Sequence, residues 1–258
     1  MTKIQELDNG VRAAMERMDH VRSVSVGIWV NTGSVREGGD EGGASHFIEH
    51  MAFKGTPTRT AEQIAVEMDA VGGSLNAFTS KECTCFYAKV LDEDLPLAVD
   101  VLSDIAFRAS FDVDELEREK RVITEEILMT EDSPEDLTAE RANALFFGDD
   151  PLARPILGTR ESVAAFDREK LLAYRSAHYT AANTVVACAG RFSEDELTAI
   201  LKDKLDLPAG GEAAPPLTCA YPGGARAECL QKDIEQVHLT LMLPGFARES
   251  DGQYPLAI

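Results

Sequence analysis

Positive charge is scarce in this 258-residue chain: 25 Lys and Arg stand against 45 Asp and Glu, a formal net charge of −20 at pH 7. Nucleic-acid binding rests mainly on clustered cations that displace counterions from phosphates, so this balance excludes it as a default activity. Long apolar runs are missing too. The best stretches, Thr184 to Gly190 and Leu239 to Phe246, fall far short of the roughly 20 apolar residues that cross a bilayer as a helix, so no membrane span is expected. The chain starts Met-Thr-Lys-Ile-Gln-Glu-Leu-Asp, without the apolar segment behind a basic start that marks a secretory leader, so a cytoplasmic location is expected. Cysteine offers no framework: Cys83, Cys85, Cys188, Cys219 and Cys229 are odd in number and lack Cys-x-x-Cys spacing, which argues against disulfides and against a structural zinc knuckle. There is no Gly-x-Ser-x-Gly elbow for a Ser/His/Asp hydrolase and no phosphate-cradling Gly-Lys-Ser/Thr loop for nucleotide chemistry.

What is present suits a globular protein. At 44% apolar and 27% charged residues the chain can bury a core. Val21 to Thr32 alternates apolar with small or polar residues, the period of a strand with one buried face. A Gly- and charge-rich loop follows over 33–43. Ser45 to Phe53 reads as a helix, and Thr60 to Val71 as another that Thr60 caps and Gly72-Gly73 ends. Ser74 to Ser80 and Cys83 to Leu91 read as a hairpin turning at Lys81-Glu82. Helices are then expected over Leu95 to Arg108, Val113 to Thr130, Pro134 to Phe147 and Glu161 to Tyr174. A strand over Asn183 to Ala189 and a helix over Glu194 to Leu205 follow. This order predicts an α+β layered fold, a mixed or antiparallel sheet with helices packed on it.

Beyond residue 210 the pattern changes. A Pro/Gly-rich stretch without periodicity reads as a linker, 211–225. It separates a domain over 1–210 from 226–258, where Val237 to Leu243 reads as a strand and Glu249 to Ile258 as the start of a helix.

The chemistry concentrates in His46-Phe47-Ile48-Glu49-His50. On a helix, positions i, i+3 and i+4 share a face, so His46, Glu49 and His50 can converge on one point. A surface helix with polar residues at helical spacing would show the same two histidines. The added Glu49 tilts the reading toward a catalytic zinc, which takes neutral imidazoles as ligands and an unligated base beside its water. Such an ion also wants a third protein ligand. The helix over Val113 to Thr130 offers candidates: projected around Ile123, its apolar stripe holds Leu116, Ile127 and Thr130 within about 40°, and Glu119 and Glu126 fall in the same stripe at about −40° and −60°. Glu125 projects to the opposite side. Carboxylates on a buried face are costly unless a cation compensates them. Arg118, Lys120 or Arg121 could pair with them, but these project largely to other faces.

The residues Gly43 to Thr56 (GASHFIEHMAFKGT) resemble the inverted zinc signature of the pitrilysin-type (M16, inverzincin) metallopeptidases, the family of mitochondrial processing peptidase and insulin-degrading enzyme. Asn76-Ala77-Phe78-Thr79 is similar to that family's Asn-Ala-x-Thr strand, and Val122 to Ile127 to the helix that carries its third ligand. The resemblance covers about the first 210 residues. It implies a LuxS/processing-peptidase-like metallohydrolase domain in which His46, His50 and Glu126 hold Zn2+, Glu49 activates water, and Glu119 stands behind a ligand and orients it. It also implies that Asn76 and Ala77 lie on a strand edge that binds peptide or unfolded polypeptide main chain to main chain, and that Phe53 walls the pocket past the scissile bond. In that family a similarly folded domain completes the cleft, so the chain is expected to need a missing C-terminal half or a homologous peptidase subunit, as a dimer. The other expectation is a non-catalytic scaffold half, against which the intact motif argues.

Overall fold

The structure is a computed structural model that describes residues 2–208, 213–219, 221–246, 250–252 and 255. Six strands form one mixed sheet: β1 (Lys3–Glu6), β2 (Arg12–Arg17), β3 (Ser23–Val30), β4 (Ser74–Thr79), β5 (Thr84–Leu91) and β6 (Thr184–Gly190), in the order β1-β2-β6-β3-β5-β4. Only β2 and β6 run parallel; the other neighbours are antiparallel. Eight α-helices accompany the sheet among the described residues: α1 (Ala44–Ala52), α2 (Ala61–Ala70), α3 (Leu95–Arg108), α4 (Val113–Asp132), α5 (Pro134–Phe147), α6 (Arg160–Ala164), α7 (Arg168–His178) and α8 (Glu194–Lys204). The fold is α+β, as the element order implies.

The period-2 pattern of β3 explains its place. Val24, Val26, Ile28 and Val30 are buried on one face, while Ser25 and Trp29 are exposed on the other. The buried face meets α3, whose Ala98, Val99, Leu102, Ile105 and Ala106 enter the same core. α1 adds Phe47, Ile48 and Met51 to that core, so its opposite side is free for polar groups. α2 begins with Thr60, which accepts from the backbone N–H of Gln63 while Gln63 accepts from that of Thr60, a reciprocal cap.

Three elements depart from the sequence reading. β1 and β2 went unread: Arg-Ala-Ala-Met-Glu-Arg holds no β-branched residue, and only pairing with β6 makes it a strand with Ala13 and Met15 inward. The helix expected over 161–174 is two helices. Phe166 drops between them into the core, and Asp167 caps α7 by accepting from the N–H of Lys170 at 2.8 Å. The strand expected over 237–243 is absent: no described strand pairs with it, and Val237 and Leu239 are 96% and 90% exposed. The helix expected over 249–258 lies largely outside the described residues. No described helix is long and apolar enough to cross a membrane.

The turn leading into α2 hangs on one buried charge. Asp104 accepts from Thr56 Oγ1 at 2.6 Å, Thr58 Oγ1 at 2.7 Å, Arg59 at 3.1 Å and Arg108 at 2.9 Å. Burial alone would raise its pKa, but hydrogen bonds from these four side chains together outweigh it and hold the carboxyl at about 2. A depressed folded pKa stabilises above the unfolded value of 3.8, and the contribution is lost as pH falls through about 2. Asp104→Ala leaves Arg59 and Arg108 without this partner and is expected to cost about 2–4 kcal/mol in urea denaturation at pH 7. A cost below about 0.5 kcal/mol would contradict this role.

Candidate metal centre

α1 carries His46, Glu49 and His50 on the side away from Phe47, Ile48 and Met51, and α4 lies across it. Glu119 and Glu126 are two turns apart on α4, on the stripe that also holds the buried Leu116, Ile123 and Ile127. The two helices therefore bring His46, His50, Glu119 and Glu126 together. Nε2 of His46 is 3.6 Å and Nε2 of His50 is 3.5 Å from Oε2 of Glu126. Glu119, only 4% exposed, accepts from Nδ1 of His50 at 2.9 Å on one oxygen and from Lys54 Nζ at 2.7 Å on the other.

That arrangement shows how Glu119, one of the two stripe carboxylates, is compensated. Arg118 turns to Glu115 and Lys120 to Glu117, so Glu119 is neutralised from the end of α1 and not from its own helix. With Nδ1 of His50 turned to Glu119, its Nε2 is the nitrogen that faces Glu126. Nδ1 of His46 is buried without a hydrogen-bond partner among the described residues. The two separations from Glu126 are near those of a tetrahedral ion, whose ligand atoms sit about 3.3–3.4 Å apart when zinc–nitrogen bonds are about 2.0–2.1 Å. The three residues are the one group of this kind found among the described residues, their donor atoms all within 4.8 Å of one another.

Glu49 lies beside them but turns elsewhere. Its Oε2 accepts from Thr79 Oγ1 at 2.6 Å, which ties it to the end of β4. Burial raises its pKa, against the Thr79 hydrogen bond. Burial, with a smaller contribution from His50, lowers the pKa of His46 to about 3, so the imidazole is neutral at pH 7.

β4 is the outermost strand at its side of the sheet, and it carries Asn76 and Ala77. Asn76 is exposed, and its Oδ1 accepts from the N–H of Ala77 at 2.8 Å, so it serves its own strand and does not reach the histidines. Phe53, at the end of α1, lines a groove of about 410 Å³ between α2 and β4 together with Ile64, Met68 and Leu75. The sequence reading missed Lys54 and left Thr79 without a task. The first stands four residues beyond His50, a spacing that could have flagged it, although it lies just past the helix end.

The pattern of the family described as Insulinase (Peptidase family M16) matches residues 12–160, and that described as Peptidase M16 inactive domain matches residues 165–257. This chain belongs to the peptidase M16 family. An uncharacterized zinc protease of Mycobacterium leprae is 43% identical over 98% of the M16 chain, and YmxG of Bacillus subtilis, an uncharacterized zinc protease, is 41% identical over 100% of it. The chain spans 58% of the length of the first and 63% of the second. Among solved structures, the periplasmic protease PqqL of Escherichia coli superposes with a TM-score of 0.76 at 26% identity, covering 84% of this chain and 25% of that one.

Neutral His46 gives a pH signature. Its folded pKa lies below the unfolded 6.5, so its contribution is present above pH 6.5 and shrinks as pH falls toward 3. In metal-free protein, stability is expected to fall between pH 6.5 and 5 more steeply in the parent than in His46→Gln, read by urea midpoints. Equal slopes would contradict the buried neutral imidazole.

Proposed function

We propose that this M16 chain is the zinc-bearing part of a metalloendopeptidase. His46, His50 and Glu126 hold the ion, Glu49 is the general base, and Glu119 orients His50. The observation that carries the reading is the convergence of three lone-pair donors beside an unligated carboxylate, Glu49, which hydrogen-bonds to the end of an outermost strand. Bound zinc would polarise the scissile carbonyl and bring the pKa of its water toward about 7. Glu49 removes a proton from the attacking water and returns it to the leaving amine. Its raised pKa fits it for both transfers. Glu119, paired with Lys54, accepts from Nδ1 of His50 and so keeps Nε2 pointed inward. One negative ligand leaves the site net positive, which preserves its acidity toward a carbonyl.

The substrate is peptide or unfolded polypeptide, laid along β4 at Asn76 and Ala77 as an added strand, with the side chain past the scissile bond against Phe53. Residues 1–210 form the zinc-bearing domain, 211–225 the linker, and 226–258 the beginning of a second, similarly folded domain. The share of the relatives' length that this chain covers, and the inactive-domain pattern over 165–257, favour a further reading. In it, activity needs a C-terminal half or a homologous subunit that joins as a dimer. Five unpaired cysteines suit a reducing compartment, the cytoplasm.

Peptide hydrolysis, assayed with and without a chelator for the chain alone and mixed with partner halves, tests this directly. Glu49→Gln is expected to keep stoichiometric zinc by elemental analysis and to lose at least about 100-fold in kcat. Parental turnover in that variant would remove Glu49 as the base. Glu126→Gln is expected to lose the zinc itself, and full zinc retention would remove it as a ligand.

A further inference from the structure

The loop ahead of α1 is rich in glycine and charge, yet Glu37 within it is 1% exposed. Its two carboxylate oxygens accept from the backbone N–H of Gly43 at 2.8 Å and of Ser45 at 2.9 Å. α1 needs such an acceptor, because helices begin with unpaired N–H groups and its own cap residue is Gly43, with no side chain to offer. Gly43 cannot be exchanged for a capping Ser or Asp. Its φ is +90°, and a Cβ there would stand 2.6 Å from the carbonyl oxygen of Leu157. The cap therefore comes from six residues upstream, through both carboxylate oxygens of Glu37. The same first turn is tied down a second time: Tyr174 OH lies 2.9 Å from Ser45 Oγ and 2.9 Å from Thr32 Oγ1, which links α1 to α7 and to the end of β3.

His46 follows Ser45 directly. The two histidines of α1 are steered differently: Glu119 grips the ring of His50, whereas Nδ1 of His46 has no protein partner among the described residues. The direction of the His46 ring thus depends on where the backbone of this first turn is held.

We propose that Glu37 is a positioning residue of the metal site: by capping α1 from the preceding loop it fixes the first helical turn, and through that turn the ring of His46. It does through the backbone for His46 what Glu119 does through the ring for His50. This rests on the reading of His46, His50 and Glu126 as metal ligands.

Cobalt(II) titration of the chain, with a chromophoric chelator as competitor, reads both affinity and the d–d absorption that reports ligand geometry. Glu37→Gln places an amide NH2 against one of the two N–H groups, and is expected to weaken cobalt about 10-fold and to alter the d–d bands. Glu37→Asp keeps the charge with a shorter reach and is expected to fall between parent and Glu37→Gln. Leu201→Ala, a cavity variant in α8 remote from α1, is expected to lower Tm while leaving affinity and spectrum unchanged. That separates positioning from general loss of stability. Parental affinity and spectrum in both Glu37 variants would overturn the proposal. So would a Leu201→Ala spectrum that shifts as theirs do. A parent that takes up no cobalt, or a Glu126→Gln variant that binds it like the parent, would overturn the ligand assignment itself, without reference to Glu37.

Discussion

Glu119 is a carboxylate in a nearly closed place, between two helices, and it stays there only because two donors meet it. A buried charge without partners costs several kcal/mol, so the contact between α1 and α4 is tenable only in the register that brings Lys54 and His50 to its two oxygens. That register places His46, His50 and Glu126 around one point. The electrostatic demand of one buried group and the geometry of the site are the same constraint. The ring of His50 is the link between them, since its Nδ1 answers Glu119 and its Nε2 turns to Glu126.

The sheet supplies the other half of the geometry. β4 ends the strand order, and Thr79 at its end bonds to Glu49, so the carboxylate proposed as the base is held from the strand edge where a peptide would lie. A substrate added along that edge would be positioned by the element that positions the base. Phe53, between α1 and the groove beside β4, is fixed by the same packing that buries Met51 and Ile48.

Much of this was legible in the sequence where local pattern and tertiary outcome agree. α3 and α5 begin and end where they are expected, and α4 keeps its carboxylates on the apolar stripe that the projection selects. Legibility fails where a distant partner decides. β2 is a strand because β6 lies beside it. Phe166 interrupts a helical pattern because the core takes its ring, which packs edge-on against Phe47 with centroids 5.7 Å apart. Glu37 looks like one charge among many in a loop, and only the placement of Gly43 and Ser45 makes it a cap. The alternation over Val237 to Leu243 is a strand signal that no described strand takes up.

If α1 and α4 form one three-ligand metal site with Glu49 outside the ligand set, anomalous diffraction at the zinc edge, on crystals of the zinc-loaded chain, shows one peak about 2.0–2.2 Å from Nε2 of His46, Nε2 of His50 and an oxygen of Glu126, with Glu49 still on Thr79. A peak ligated by Glu49, or zinc bound at other residues while these three stay bare, would contradict this site.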